Sequence, residues 1–191
     1  MTGSDPVVGF EPIVGPEPRV LVLGTVPSAH SLRERRYYAH PRNAFWPIME
    51  RLFADGRPLG YGERVALLHD AGIALWDVLA RAERLGSLDA DIRAPVANDL
   101  DVFMRDHPSI RTIFFNGAAA ERLFSVHCAP SLADGAVRLV RLPSTSPANA
   151  SVSFALRLAA WQAVRVVADE RRISPQDPPL RRVPPPEPSP G

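Results

Sequence analysis

Four short apolar runs, at residues 19–23, 73–76, 112–115 and 137–142, stand out along the chain, rich in Val, Ile, Leu and Phe. Each is too short for a helix and enriched in β-branched or aromatic side chains, so each predicts a strand. The intervening stretches place apolar residues three or four positions apart. They predict helices over about 44–54, 62–71, 98–106, 118–127 and 152–172. Asn98 reads as the N-cap of the third of these, with Asp99 and Asp101 in a first turn where the helix dipole favours acids. Strands alternating with helices predict an α/β fold, a single three-layer α/β/α domain around a central, mainly parallel four-stranded sheet. No internal repeat is present. In such sheets ligands bind outside the carboxyl ends of the strands, which directs attention to the four loops that follow them.

Proline delimits this domain. Of the 21 prolines, four lie within residues 6–18 and eight within 175–190. The expected organisation is a Pro-rich N-terminal segment (1–18), a folded domain (19–172) and a disordered Pro-rich tail (173–191). With 191 residues and 46% hydrophobic composition, the chain can bury one sizeable core. It has neither an apolar run of membrane-spanning length nor the basic-then-apolar pattern of a leader. A cytoplasmic monomer with no membrane partner is expected.

Composition then narrows the chemistry. All 22 basic residues are arginine, so no lysine is available for a Schiff base, a general base or a phosphate-binding loop. The single cysteine, Cys128, excludes cysteine zinc sites and iron–sulfur clusters, and no histidine pair has metal-ligand spacing. Neither metal nor cofactor is expected. A net charge of +1 argues against a globally basic, histone-like nucleic-acid binder. Yet residues 30–42 hold Arg33, Arg35, Arg36 and Arg42 against the one acid Glu34, a local +3 beside Tyr37 and Tyr38. Arginine next to aromatic rings suits phosphate contact with base stacking, although a solvated cluster flanking packing aromatics has the same composition.

The loops supply the remaining candidates. The first contains Gly24, Thr25, Val26, Pro27 and Ser28 and runs for about 19 residues, long enough to suggest function. The second opens on Asp77, a polar reader or a plain turn cap, and continues through Arg84 to Asp89. Asn116 and Gly117 form the third, an anion-facing helix start or a strand terminator. The fourth sets Ser144, Thr145 and Ser146 between Pro143 and Pro147, followed by Asn149. Such a stiff ridge of hydroxyls is either a ligand contact or a turn before the last helix, capped by Asn149 or Ser151. Phe45, Trp46, Leu52, Phe53 and Trp161 recur at helical spacing and read as core.

Gly24-Thr25-Val26-Pro27-Ser28, the stretch from Tyr38 through His40-Pro41-Arg42-Asn43 to Trp46, and Leu142-Pro143-Ser144-Thr145-Ser146-Pro147-Ala148-Asn149 together resemble the uracil-DNA glycosylase superfamily. Within it they are most similar to the hypoxanthine-DNA glycosylase (DNA-deoxyinosine glycosylase) branch. The resemblance spans residues 10–161 and implies an enzyme of base excision repair that flips a deaminated base out of DNA and hydrolyses its glycosidic bond; with no lysine to form a Schiff base, a monofunctional one is expected. It assigns the water-positioning duty to Asn43, stacking on the extruded base to Tyr38, and base reading to Asp77. Base contacts are further expected from Gly24 to Ser28, His40 and Asn116. DNA contacts are expected from Arg33, Arg35, Arg36, Arg42, Ser144, Thr145, Ser146 and Asn149. Two positions depart from the pattern: Val26 stands where most members carry a water-activating Asp or Asn, and Leu142 where most carry His or Asn. Both are apolar, which leaves open a module that binds damaged or single-stranded DNA without cleaving it. Uracil or a mismatched thymine remains open as the excised base.

Overall fold

Val20, Leu21, Val22 and Leu23 are all fully buried, yet they face opposite ways: Leu21 and Leu23 enter one core cluster, Val20 and Val22 another. A strand buried on both sides is the signature of a parallel sheet covered by helices on both faces. A computed structural model of the chain describes residues 6–84, 92–128 and 137–170. In chain order the elements are β1 (Pro6–Val8), β2 (Val20–Gly24), α1 (Ala29–Glu34), α2 (Phe45–Phe53), α3 (Tyr61–Asp70), β3 (Ile73–Asp77), β4 (Leu79–Arg84), β5 (Ile92–Ala97), α4 (Leu100–Asp106), β6 (Thr112–Asn116), α5 (Ala118–His127), β7 (Arg138–Leu142) and α6 (Phe154–Asp169). The main sheet has the order β3-β2-β6-β7, every pair parallel, with Val22 opposite both Leu75 and Phe114.

Alternation along β3 and β6 repeats that of β2. Ala74, Ile113 and Phe115 join the cluster completed by Phe103 and Met104 of α4 and by Leu123 and Phe124 of α5. Ile73, Leu75 and Phe114 join the one completed by α2, α3 and α6, where Phe45, Trp46 and Trp161 are almost wholly enclosed. The four expected strands and the three-layer α/β/α arrangement are therefore present, and the expected aromatic core residues occupy it.

Four expectations are corrected. The folded part begins well before residue 19: Pro6 to Val8 pair antiparallel with β4, and Ile13 exchanges two backbone hydrogen bonds with Leu75 (2.8 and 2.9 Å). The Phe10 carbonyl also accepts from the Trp76 indole (3.0 Å), so the N-terminal segment is an outer wall of the domain rather than a leader to it. Residues 79–84, expected in a loop, form the middle strand of a second, three-stranded sheet of order β1-β4-β5. Its register shifts twice, and β5 carries Pro95 next to Ala94 at φ 44°. Bulges and an edge proline erase the two-residue period by which strands are recognised. The first loop contains a short helix, α1, capped by Ser28. Finally, the caps move. Asp99, not Asn98, caps α4 by accepting from the Val102 N–H (3.0 Å), while Asn98 donates to the Asp77 carbonyl (2.8 Å); Ser153, neither Asn149 nor Ser151, caps α6. The Pro-rich tail, the stretch 85–89 of the second loop and the end of the last expected helix lie outside the described residues.

No helix among the described residues is long and apolar enough to cross a membrane, and none of their His, Cys, Asp and Glu side chains form a group able to hold a metal. Cys128 is buried at the end of α5, and that burial, with the nearby charge of Asp101, pushes its thiol from 9.0 up to about 11. Because only the thiolate reacts, labelling by a thiol reagent at pH 8 should be about a hundredfold slower in the native protein than in denaturant. Equal rates would show Cys128 to be accessible and ionised.

Candidate active site

Gly24 closes β2 directly opposite Asp77, the last residue of β3. A Cβ at Gly24 would overlap the Asp77 Oδ1 and stand 2.9 Å from the Tyr38 hydroxyl, so the missing side chain is what lets a carboxylate and a phenol converge at the strand ends. Asp77 is buried, its backbone fixed by Asn98. The strand crossing beneath it is tied by Val78 and Leu79, whose N–H groups donate to the Gly24 and Thr25 carbonyls (both 3.0 Å).

The first loop folds back over this point through two serines. Ser28 accepts from the Ser31 N–H (3.2 Å) and donates to the Ser31 hydroxyl (3.1 Å), which itself accepts from the Ala39 N–H (3.3 Å). Reversal between α1 and Ala39 uses left-handed backbone at Arg35 (φ 50°) and Tyr38 (φ 51°), a conformation non-glycine residues rarely adopt. The Tyr38 ring stacks on Phe45 at 4.3 Å, and Tyr38 but not Phe45 lines the cavity, so Phe45 backs the ring from behind. Tyr37 also lines the cavity but is tied to the N-terminal segment. Its hydroxyl donates to the Phe10 and Glu11 carbonyls (3.4 and 3.2 Å), and burial, with the charge of Asp77 adding, raises its ionisation far above the usual phenol range.

Asn43 ends a tight turn in which its N–H donates to the His40 carbonyl (2.8 Å). Its Oδ1 accepts from the Phe45 N–H (3.0 Å) at the start of α2, which fixes the amide while leaving the second lone pair of the oxygen for another donor. The next N–H, of Ala44, donates to the Thr145 carbonyl (3.0 Å). Thr145 in turn pairs reciprocally with Asn116: its N–H donates to Asn116 Oδ1 and its hydroxyl accepts from Asn116 Nδ2, both at 2.8 Å. The carbonyl of Pro143 accepts from the Trp161 indole (2.9 Å), which anchors the first proline of the ridge to α6. On its far side Gly117, at φ +101°, leaves room that a Cβ would take from Ser144.

These contacts enclose a cavity of about 90 Å³ lined by Gly24 to Ser28, Tyr38, Asn43, Asp77, Asn116 and Ser144 to Ser146. Every residue expected to contact the base except His40 lies there together with Asn43. His40 is turned aside: its Nδ1 accepts from the Arg42 N–H (3.1 Å) and its ring meets the edge of His30. Ser144 and Ser146 form a ridge, with a wider depression of about 620 Å³ on its other side. Asn149 stands behind the ridge, donating to the Ser144 carbonyl (3.1 Å) and held through its own carbonyl by Arg157, so it braces the loop. Arg33, Arg35, Arg36 and Arg42 are exposed and lie outside the cavity. Val26 and Leu142 are buried in the two core clusters, so packing accounts for their apolar character. Ser31 and Tyr37 also line the cavity and were missed; the Ser28-x-x-Ser31 spacing of a helix cap was the available signal for the first.

A doubly covered parallel sheet with a small polar cavity at its carboxyl edge, walled by a stacked tyrosine and a hydroxyl ridge, is the frame of a base-excising enzyme. The family model of the uracil DNA glycosylase superfamily matches residues 12–165, and the chain belongs to that superfamily of DNA glycosylases. It is similar to the hypoxanthine DNA glycosylase of Methanosarcina acetivorans, 31% identical over 157 residues, which is 82% of this chain and 96% of that protein. The hypoxanthine DNA glycosylase of Methanosarcina barkeri is 31% identical over 110 residues, 57% of this chain and 70% of that protein. Among solved structures, the solution NMR structure of a candidate uracil DNA glycosylase from Methanosarcina acetivorans superimposes with a TM-score of 0.73 at 30% identity, covering 85% of this chain and 99% of that one.

Replacing Thr145 by valine keeps the shape but leaves Asn116 Nδ2 without its acceptor in a buried site. Thermal or urea unfolding should show a loss of about 1–3 kcal/mol. A variant as stable as the parent would show that the pair does not hold the ridge.

Proposed function

We propose that the chain is a monofunctional glycosylase that hydrolyses the N-glycosidic bond of deoxyinosine in DNA, releasing hypoxanthine and leaving an abasic site. The observation that carries this is the convergence of Asn43, Tyr38 and Asp77 on one cavity at the end of the sheet. The names of the two curated relatives support the choice of base. At about 90 Å³ the cavity is well below the ~300–1,000 Å³ of ordinary ligand pockets. It suits one planar ring system, with the sugar and phosphate left outside along Ser144 and Ser146.

The nucleotide first rotates out of the helix, at a cost of a few kcal/mol that mispairing lowers. Stacking on the cavity-facing side of Tyr38 returns about 1–3 kcal/mol of it. Hypoxanthine carries a ring N–H beside a carbonyl. The Asp77 carboxylate accepts from that N–H, whereas adenine presents an unprotonated nitrogen at the same place and is repelled. Uracil shares the N–H and carbonyl pair, so selection between the two rests on ring size. As the bond to the sugar lengthens, negative charge grows on the departing base. Backbone N–H groups around Val26 to Ser28 stabilise it there. Water held by the second lone pair of Asn43 Oδ1 adds to the anomeric carbon, and its proton leaves with the base. An amide is no base, but a dissociative transition state asks for a positioned water more than a deprotonated one.

A side-chain amine is absent from the whole chain, which supports hydrolysis without strand cleavage. Borohydride should therefore trap no covalent adduct with DNA; a trapped species would assign lyase activity. The reading is tested by incubating the protein with matched oligonucleotides carrying inosine, uracil, xanthine or a G·T mismatch, followed by alkaline cleavage at abasic sites. Release is expected fastest from inosine; release from none would leave a binding module. In single turnover Asn43→Ala should be slower by roughly 10²–10³, and a rate within about threefold of the parent would remove Asn43 from the mechanism.

A further inference from the structure

A second cavity, of about 300 Å³, lies along another face of α1. Ser31 faces the first cavity, whereas His30 and Glu34 face this one, and Tyr37 is a wall of both. Two arginines lining it are laid over aromatic rings: the Arg36 guanidinium stands 5.4 Å from the centroid of Tyr61, and Arg64 stands 5.6 Å from that of Trp46. They differ in what holds them. Arg64 is fixed by the buried Glu50, whose Oε1 accepts from its Nε at 2.9 Å and from the Leu59 N–H at 3.0 Å. Arg36 is exposed, stands over the Tyr61 ring and, among the described residues, makes no ion pair, so no carboxylate neutralises it there. Tyr61 is itself fixed, its hydroxyl accepting from the Tyr37 N–H (3.1 Å).

An exposed guanidinium over an aromatic ring is a platform for a flat, electron-rich group, and its unpaired charge favours an anion attached to that group. A nucleotide is both. We propose that this cavity is a second nucleotide subsite, which takes an unpaired base of the bound DNA strand on the Arg36–Tyr61 platform. Volume fits as well: about 300 Å³ is the lower bound of ordinary ligand pockets and holds more than a bare base. The two cavities share the Tyr37 wall, which puts both within reach of one DNA strand. The subsite would thus seat a neighbour of the flipped nucleotide on the same strand, and it rests on the assignment of the first cavity to DNA.

The test compares binding of two undamaged single-stranded oligonucleotides by fluorescence anisotropy, a short one able to fill the first cavity alone and a longer one able to reach both. Undamaged DNA keeps the result independent of which base is excised, so failure of the hypoxanthine assignment would leave this measurement readable. Arg36→Ala should weaken binding of the longer strand by about ten- to hundredfold and of the shorter by less than about threefold. Arg36→Lys should not restore it, since an ammonium keeps the charge but offers no plane. Equal loss on both strands, no loss on either, or full rescue by lysine would each overturn the proposal, the last by reducing Arg36 to a phosphate contact.

Discussion

Thr145 has no exposed surface, and its polar groups are all engaged. Its N–H and hydroxyl pair with the Asn116 amide, and its carbonyl accepts from the Ala44 N–H. One residue thereby joins the end of β6, the loop after β7 and the start of α2, three segments far apart in sequence. Each bond alone is worth about 1 kcal/mol net. Their burial raises the stakes, because losing any one leaves a donor or acceptor with no water to turn to. Ala44 sits between Asn43, whose amide faces the cavity, and Phe45, which backs Tyr38. The Ser144–Ser146 ridge, the Asn43 amide and the Tyr38 ring therefore share one anchor.

Rigidity of this kind explains how the loop tolerates its backbone. Left-handed residues without glycine, such as Arg35 and Tyr38, cost of order 1–3 kcal/mol each and persist only where the surroundings over-determine them. Here the Ser31 hydroxyl holds Ala39, Phe45 stacks on Tyr38, and Gly24 clears the space into which the Tyr38 hydroxyl reaches. The consequence is a Tyr38 ring held in one orientation at the cavity wall, so a ligand that stacked on it would need little further ordering.

What was legible in the chain follows from how each element is stabilised. Val20 to Leu23 and Ile113 to Phe115 are buried on both faces, and such a run announces a central strand without tertiary information. Pro6 to Val8 and residues 79–84 are strands only because they find each other; one is three residues long and the other is bulged, so neither carries a period of its own. The same division runs through the site. Gly24, Asp77 and Asn116 terminate strands, and strand ends in a parallel sheet point to one edge, which made their convergence readable. His40 and Tyr37 sit in a turn with left-handed residues on either side of Tyr37. No periodicity fixes which way their side chains go, and one proved to be turned aside while the other lines the cavity. Val26 and Leu142 looked like lost chemistry because neither a loop position nor a strand end reveals in the sequence how far its side chain packs into the core.

The basic charge of this protein is carried by arginine alone, and the geometry gives that a physical meaning beyond the absence of an amine. A lysine near Tyr61 or Trp46 would remain a hydrated point charge, whereas the more weakly hydrated guanidinium groups of Arg36 and Arg64 stand over those rings at 5.4 and 5.6 Å. With a net charge of only +1, the chain has little long-range field with which to attract DNA. A few neutralised phosphates imply a shallow dependence on salt. Recognition is then left to contacts of shape, for which the cavity offers a ridge of hydroxyls and a stacked tyrosine. Such contacts act at short range, so they distinguish an extruded or unpaired base from a paired one more sharply than a diffuse positive surface would, as an enzyme that must find one altered base among many normal ones requires.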